Sequence, residues 1–409
     1  MRSPVAVLLL SLFLLLTVSC CDNVPSGGGA DNPGLQRGDT AVSTLVVYMM
    51  AENSLAVPYA ALDIDEIRRG AVSVPSDCRL FVFVDDRDNP RLLKFVNNSG
   101  VCEEKVLYQF ADDFCSSDAT AFGAVLAGVL DDYPTHSLDL VMWSHGNGWL
   151  LDKSRAGAMR TIGVDNGKNN YSDRTERAIE IEELAAVIKE LPAKVNRLMF
   201  DACFMQGVEV VYALRDAVQW VIGSPAEIPG DGAPYDTVIG EFFVSNGVKG
   251  IIDAYKAAYE NGEMGVALSA AYMPAMQRLA DATYSNVCTY FNTSKKREYI
   301  DVFAYLPGGA KGYYGYMPCY YDINAVMKKY LAEPEYVAWK EALDEAVPYV
   351  VTTGSWYSAY VGRHLSVDTS VYCGMSVYMP QTTSRYGQLN IDFSNTEWYG
   401  AAGWDAAGW

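Results

Sequence analysis

Short apolar segments alternate with longer amphipathic segments through the first half of this chain, and this pattern constrains the fold most strongly. Continuous apolar character predicts buried strands at 44–50, 79–85, 138–143, 196–200 and 220–224. Amphipathic periodicity predicts helices between them, at 60–69, 119–133, 180–191 and 207–217. Strands that are apolar on both sides need helices on both faces of their sheet. The sequence therefore predicts an α/β fold with a mostly parallel sheet, whose functional loops gather at the carboxyl ends of the strands.

The pattern is less regular beyond residue 236. Periodicity there predicts a strand at 371–379 and helices at 248–260, 270–284, 323–331 and 335–347. A chain of 409 residues, half of them hydrophobic, can bury one large core or two ordinary ones. We therefore expect residues 41–240 to form the main core, and residues 241–409 to pack on it or complete it.

The N-terminus has the layout of an export signal. Arg2 precedes an apolar run at 5–16 and then small residues, which is typical of a secretory signal peptide covering residues 1–19. Small residues leading into Cys20 resemble the lipobox of bacterial lipoproteins, with Cys21 as a second candidate for the lipidated residue. Residues 20–40 are rich in glycine and predict a flexible tether. We expect a lipid-anchored protein of the bacterial cell envelope, on its periplasmic face or at the cell surface, or a secreted protein if no lipid is attached.

Charge and cysteine content exclude several classes of protein. The chain has 31 Lys and Arg residues against 50 Asp and Glu residues, and its net charge of −19 argues against nucleic-acid binding. An acidic surface can instead attract cationic substrates. The nine cysteines form no CxxC pair of the kind that binds zinc. Cys78, Cys102 and Cys115 lie close enough in sequence for a disulfide bond, with Cys102–Cys115 closing the shortest loop.

Two predicted strand ends carry residues suited to nucleophilic catalysis. His145 follows the third predicted strand beside Gly146, and Cys203 follows the fourth. If these strands are neighbours, the imidazole and the thiol meet at the carboxyl ends. A thiol close to an imidazole and a helix N-terminus is favoured as the thiolate, which is a competent nucleophile. A buried structural cysteine and a turn histidine are the alternatives, and His364 is the other candidate imidazole.

Five segments around these residues resemble the clostripain-like cysteine peptidases, in the clan that also holds caspases, legumains and gingipains. The resemblance covers about residues 44–404 and rests on 48–55, 143–149, 200–216, 224–236 and 374–380. It implies a caspase-like α/β sandwich with His145 as acid and base and Cys203 as nucleophile. It also implies that the backbone N–H groups of Gly146 and Cys203 stabilise the oxyanion.

The same resemblance implies cleavage after Arg or Lys, for which an acidic pocket provides the counter-charge. The matching positions are Asp201 and Asp231, although Asp201 is also suited to capping a helix and Asp231 to a glycine-rich turn. The chain departs from the family at Pro225 and Ala226, near the expected pocket wall, where the family has a more acidic stretch.

A polar segment with six basic residues, at 151–177, separates the histidine from the cysteine. Family members are made as precursors that often cut themselves in this region, so the segment is either a self-processing site or a solvated loop. No cofactor is required by the predicted chemistry. Some relatives use calcium, and Asp165, Asn166 and Asp173 offer oxygen ligands without EF-hand spacing.

Together these observations predict an exported, lipid-anchored cysteine endopeptidase that acts on peptides or proteins with basic residues. Its other expected partner is the membrane, through the N-terminal lipid, and no nucleic acid is expected. Two alternatives remain open on sequence alone. One is a catalytically silent surface lipoprotein that uses the same fold for binding, and the other is a Cys/His amidase that acts on cell-wall peptides.

Overall fold

A computed structural model of the chain describes residues 35–150, 162–167, 177–292, 300–308, 311–312, 315–316, 319–382 and 387–409. Its strands are β1 (Ser43–Met50), β2 (Cys78–Asp85), β3 (Arg91–Asn98), β4 (Val101–Gln109), β5 (Leu138–Trp143), β6 (Ile162–Asp165), β7 (Arg177–Ile179), β8 (Val195–Asp201), β9 (Val218–Gly223), β10 (Ala267–Tyr272), β11 (Ala304–Leu306), β12 (Lys311–Gly312), β13 (Gly315–Tyr316), β14 (Tyr320–Asp322), β15 (Tyr349–Thr352), β16 (Ser355–Ser358), β17 (Arg363–Ser366) and β18 (Ser376–Val377).

Its α-helices are α1 (Ala61–Gly70), α2 (Ala119–Asp132), α3 (Ile181–Lys189), α4 (Val208–Ala213), α5 (Tyr235–Glu241), α6 (Gly247–Tyr259), α7 (Met276–Tyr290), α8 (Ile323–Tyr330), α9 (Glu333–Ala346), α10 (Gly387–Phe393) and α11 (Glu397–Ala401). None of the described helices is both long enough and apolar enough to cross a membrane.

A nine-stranded sheet, in the order β15-β10-β9-β8-β5-β1-β2-β3-β4, organises the molecule. Its five central strands, β9 to β2 in that order, are parallel, and two antiparallel strands extend each side. Helices α1, α5 and α6 contribute buried side chains to the core on one face, and α2, α3, α4, α7 and α9 contribute to the core on the other. The predicted α/β sandwich with a mostly parallel central sheet is confirmed.

The last third of the chain contributes to this sheet. β10 pairs with β9, and β15 pairs with β10, so both strands extend the sheet beyond its parallel part. The predicted helix at 270–284 was wrong at its start, because 267–272 is a buried strand and α7 begins only at Met276. The predicted strand at 371–379 is reduced to the two residues of β18. Periodicity also missed the β3–β4 hairpin, whose second strand is mostly exposed at the sheet edge.

No disulfide forms among the three cysteines that lie close in sequence, and Cys78, Cys102 and Cys115 are all free thiols. Cys102 lies near the start of β4, whereas Cys115 follows the far end of that strand. A strand rises about 3.3 Å per residue, so most of the length of β4 separates the two thiols. Disulfide formation needs Cα atoms within about 7 Å.

One buried ion pair joins the two strands that lead to His145 and Cys203. The guanidinium of Arg197 on β8 donates to both carboxylate oxygens of Asp139 on β5, at 2.8 and 2.6 Å. The backbone N–H of Arg197 also donates to Asp139, at 3.0 Å. Burial raises the pKa of Asp139, and the hydrogen bonds and charge of Arg197 oppose this rise. The pair therefore holds two opposite charges inside the sheet, where both side chains are buried.

Candidate active site

The carboxyl ends of β5 and β8 bring the two predicted catalytic segments together. The two strands are parallel neighbours, with Trp143 opposite Asp201, so the segments that follow them leave the sheet side by side. Gly146 packs so closely that a Cβ atom there would lie 2.7 Å from the carbonyl oxygen of Cys203. Any side chain at position 146 would therefore displace the cysteine loop.

The imidazole of His145 is half-buried and held by a hydroxyl group. Its Nε2 atom lies 2.9 Å from Oγ of Ser54, in the turn that follows β1. Burial lowers the pKa of His145, which favours the neutral imidazole. The backbone of His145 is fixed as well, because its carbonyl accepts a hydrogen bond of 3.0 Å from the N–H of Gly163. Sequence reasoning missed Ser54, although it lies in one of the segments that carry the family resemblance.

The thiol of Cys203 is half-buried, and its sulfur accepts the backbone N–H of Ile228 at 3.4 Å. Burial, together with the nearby carboxylates of Glu227 and Asp201, raises the pKa of Cys203 to about 12. The expectation of a resting thiolate was therefore wrong. α4 begins at Val208, one residue after its predicted start and five residues after the cysteine. Burial thus favours the neutral forms of both the thiol and the imidazole.

The residue after the cysteine has an unusual backbone conformation. Phe204 has a φ of 62°, in the left-handed region that residues with large side chains seldom adopt. Its ring stacks on Tyr320, with ring centroids 4.8 Å apart, and its N–H donates to the carbonyl of Ala226. The hydroxyl of Tyr320 donates in turn to the carbonyl of Asn147, two residues after the histidine. These contacts fix the cysteine loop against the histidine loop.

The two predicted pocket carboxylates have different surroundings. Asp201 is buried and accepts three hydrogen bonds, from the N–H of Ala233 and the hydroxyls of Tyr235 and Tyr255, at 3.0, 2.8 and 3.0 Å. It does not cap a helix, because it ends β8. Asp231 is exposed on the turn after Gly230.

A third carboxylate, on α1, joins these two. Asp63 is buried and accepts the indole N–H of Trp143 at 2.6 Å, and burial followed by the charge of Asp201 raises its pKa to about 9. Burial raises the pKa of Tyr259, and the charges of Asp201, Asp231 and Asp63 raise it further. Sequence reasoning missed Asp63. The available signal was its position four residues before Ile67, on the buried stripe of α1.

The calcium prediction concerns a neighbouring group of carboxylates. Asp165 offers an oxygen within 4.8 Å of those of Glu52 and Asp85, and all three residues are buried. Carboxylate oxygens are suitable calcium ligands. Asn166 contributes a backbone N–H to the carbonyl of Glu52, and Asp173 lies outside the described residues.

The other histidines are engaged elsewhere. His136 precedes β5, at the opposite end of that strand from His145. A ring nitrogen of His364 on β17 lies 2.5 Å from the carbonyl oxygen of Glu263. The predicted self-processing segment lies mostly outside the described residues, but its described parts, β6 and β7, pair with each other. The backbone at Ile162, where β6 begins, bridges to Gly146.

Comparisons with known proteins identify the family of this chain. The sequence profile of the clostripain family matches residues 47–409. A secreted C11 cysteine protease from Bacteroides thetaiotaomicron, solved with an irreversible peptide inhibitor, is 27% identical with a TM-score of 0.75, over 89% of this chain and 100% of that chain. An inactive zymogen C11 protease from Parabacteroides distasonis is 26% identical with a TM-score of 0.73, over 89% and 99%.

A cysteine protease from B. fragilis is 31% identical with a TM-score of 0.50, over 58% of this chain and 99% of that chain. Among curated protein sequences the comparison finds no match. The family profile spans the sheet, both strand ends and the C-terminal helices. This chain therefore belongs to the clostripain family and is a cysteine endopeptidase.

Proposed function

We propose that the chain hydrolyses peptide bonds with Cys203 as nucleophile and His145 as general base and acid. The observation that supports this most directly is the packing of Gly146 against the carbonyl of Cys203, which places the two loops in contact. Because burial favours the neutral thiol, the imidazole takes its proton as the sulfur attacks the scissile carbonyl carbon. The imidazolium then gives that proton to the leaving amine as the C–N bond breaks, and a thioester remains.

Hydrolysis of the thioester completes the cycle. His145 removes a proton from water, the hydroxyl attacks the thioester carbonyl, and the proton passes to the sulfur as the acid product leaves. Each tetrahedral intermediate needs donors for its oxyanion, and we assign this role to the backbone N–H groups of Gly146 and Cys203. These steps use protein groups alone. Calcium dependence stays a separate prediction.

We further propose that the enzyme prefers Arg or Lys on the acyl side of the cut bond, with Asp201 and Asp231 as counter-charges. Support comes from Tyr259, because both carboxylates add to the effect of burial in raising its pKa and its hydroxyl donates to the carbonyl of Gly232, beside Asp231. Ala226 does not oppose this preference, because its side chain is buried. Its backbone carbonyl accepts the N–H of Phe204. The charge of −19 would also draw basic peptides toward the protein.

We expect fluorogenic peptides ending in Arg or Lys to be cleaved at least about tenfold faster than matched neutral peptides, since a charge-assisted contact has about that effect. The Asp231→Asn variant should lose most of this preference while keeping cleavage of the neutral peptide. Asp236→Asn, another exposed Asp on the same segment, is the control. The panel is run with calcium and with EGTA. If no peptide is cleaved under any of these conditions, the proposed function is contradicted. If Asp231→Asn keeps the preference for Arg or Lys, only the role of Asp231 as a counter-charge is contradicted.

Self-processing within 151–177 is part of the same proposal. The backbone of β6 contacts both His145 and Gly146, so a described part of the basic segment lies beside the histidine loop. We expect wild-type protein to yield two fragments on a denaturing gel, with a new C-terminus at Lys or Arg identified by mass spectrometry. The Cys203→Ala variant should stay intact. A wild-type protein that is fully active as one intact band would contradict this step.

We also propose that the protein is exported and held at the bacterial cell envelope by a lipid on Cys20. The support is the signal-like sequence before Cys20 and the description of one similar protease as secreted. Cys20→Ser should move the protein from the membrane fraction to the soluble fraction. An unchanged distribution would contradict the lipid anchor and leave the peptidase proposal intact.

A further inference from the structure

We propose that Ser54 is a positioning residue for His145, which orients the imidazole and stabilises its protonated form. This inference rests on the proposed role of His145. Its direct basis is the distance of 2.9 Å between Oγ of Ser54 and Nε2 of the imidazole. With Nε2–H donating to this hydroxyl, the lone pair of Nδ1 is left to accept the proton of Cys203.

The turn that carries Ser54 is fixed by its buried neighbour. The side-chain amide of Asn53 donates to the carbonyls of Met50 and Val164, at 2.9 and 2.8 Å, and its oxygen accepts the N–H of Leu55 at 2.8 Å. Asn53 thus ties the end of β1 to β6 and closes the turn around Ser54. The hydroxyl is therefore presented from a rigid backbone, although Ser54 itself is exposed.

The backbone of the histidine loop is tied to the same two elements. The hydroxyl of Ser144 donates to the carbonyl of Met50 at 2.8 Å and accepts the N–H of Val164 at 3.2 Å. The carbonyl of His145 accepts the N–H of Gly163. The backbone segments that carry Ser54 and His145 are thus both hydrogen-bonded to β1 and β6. These backbone contacts fix the position of the turn that carries Ser54 relative to the histidine loop.

The chemistry explains why such a contact matters. Burial lowers the pKa of His145, and no charged side chain among the described residues offsets this effect. The imidazolium that forms during the reaction is therefore costly, since no described carboxylate forms an ion pair with it. A hydrogen bond from Nε2–H to a hydroxyl is stronger when the ring is charged. Ser54 thus supplies part of the stabilisation that a carboxylate gives in a triad.

The test compares Ser54→Ala, Ser54→Thr and a control, Ser285→Ala, whose exposed hydroxyl donates to the carbonyl of Asp281 in its own helix. We expect Ser54→Ala to lower kcat about tenfold, with KM unchanged, since a hydrogen bond to a charged group has about this effect. The acid limb of the kcat/KM profile should move to lower pH, because loss of the contact destabilises the imidazolium. Ser54→Thr should restore both values, and Ser285→Ala should match wild type.

A second measurement does not depend on turnover. The chain has three histidines, so NMR titration of the imidazole signals can follow His145 in the wild type and in Ser54→Ala. A lower pKa of His145 in Ser54→Ala is the expected result. An active wild type with unchanged kcat, pH profile and His145 titration in Ser54→Ala would overturn this inference alone. A wild type without any peptidase activity would instead overturn the proposed function.

Discussion

Replacing Cys203 with alanine should reduce kcat/KM for peptide hydrolysis by about 10⁴-fold or more, as expected when the nucleophile of a covalent mechanism is removed. Among the described residues, Cys203 is the thiol that follows a central strand beside the histidine loop. The loss should appear mainly in kcat, because substrate contacts are retained. Steady-state kinetics with an Arg or Lys peptide give the measurement.

The matched control for this prediction is Cys288→Ala. Cys288 is a half-buried thiol on α7 whose sulfur lies 3.8 Å from the carbonyl oxygen of Gly403, away from the sheet edge. The Cys288→Ala variant should retain wild-type kinetics. Both variants should keep the circular dichroism spectrum of the wild type, which separates lost chemistry from lost fold. Cleavage in Cys203→Ala within about tenfold of wild type would place the nucleophile elsewhere.

Replacing Arg197 with methionine should lower the free energy of unfolding by about 3–5 kcal/mol, because it leaves Asp139 buried without its partner. The guanidinium also donates to the carbonyls of Glu241 and Phe242, so its loss leaves two more acceptors unsatisfied. Urea denaturation monitored by tryptophan fluorescence measures the change. We expect reduced peptidase activity as well, since the pair joins the strands that lead to both loops of the site.

Two further variants make this prediction specific. Arg278→Met removes an arginine that pairs with Glu345 on the surface, and it should change stability by no more than about 0.5 kcal/mol. The double variant Asp139→Leu with Arg197→Met removes both charges, and it should recover the part of the loss that comes from the unpaired carboxylate. If Arg197→Met and Arg278→Met have the same free energy of unfolding, then the buried pair does not contribute the predicted stability.

Local sequence pattern was sufficient for the centre of the fold. The five parallel strands follow from apolar runs long enough to be buried on both faces, and their observed bounds differ from the predicted ones by two residues or fewer. The hairpin of β3 and β4 was missed because its outer strand is mostly exposed and has charged residues at 103–105. The start of α7 was misjudged because small residues in 267–271 suit a strand or a helix equally well until a neighbouring strand is known.

The family segments likewise led to His145 and Cys203, but their protonation could not be read from the sequence. Proximity to an imidazole and a helix predicted a thiolate, whereas burial dominates in the folded chain and raises the pKa of Cys203 to about 12. Desolvation depends on the atoms packed around a group, and these come from segments such as Glu227 and Ile228 that are distant in sequence.

By itself, the sequence determined the order of the five central strands and the helices between them, the α/β class and the two strand ends on which the chemistry is proposed. These follow from periodicities and motifs that involve neighbouring residues, and the chain carries them before it folds. Tertiary structure alone decided that Ser54 meets His145, and that Asp201 is enclosed by Tyr235 and Tyr255 from 34 and 54 residues away. Burial, proton affinity and contacts of this kind arise only when distant segments pack together and exclude water.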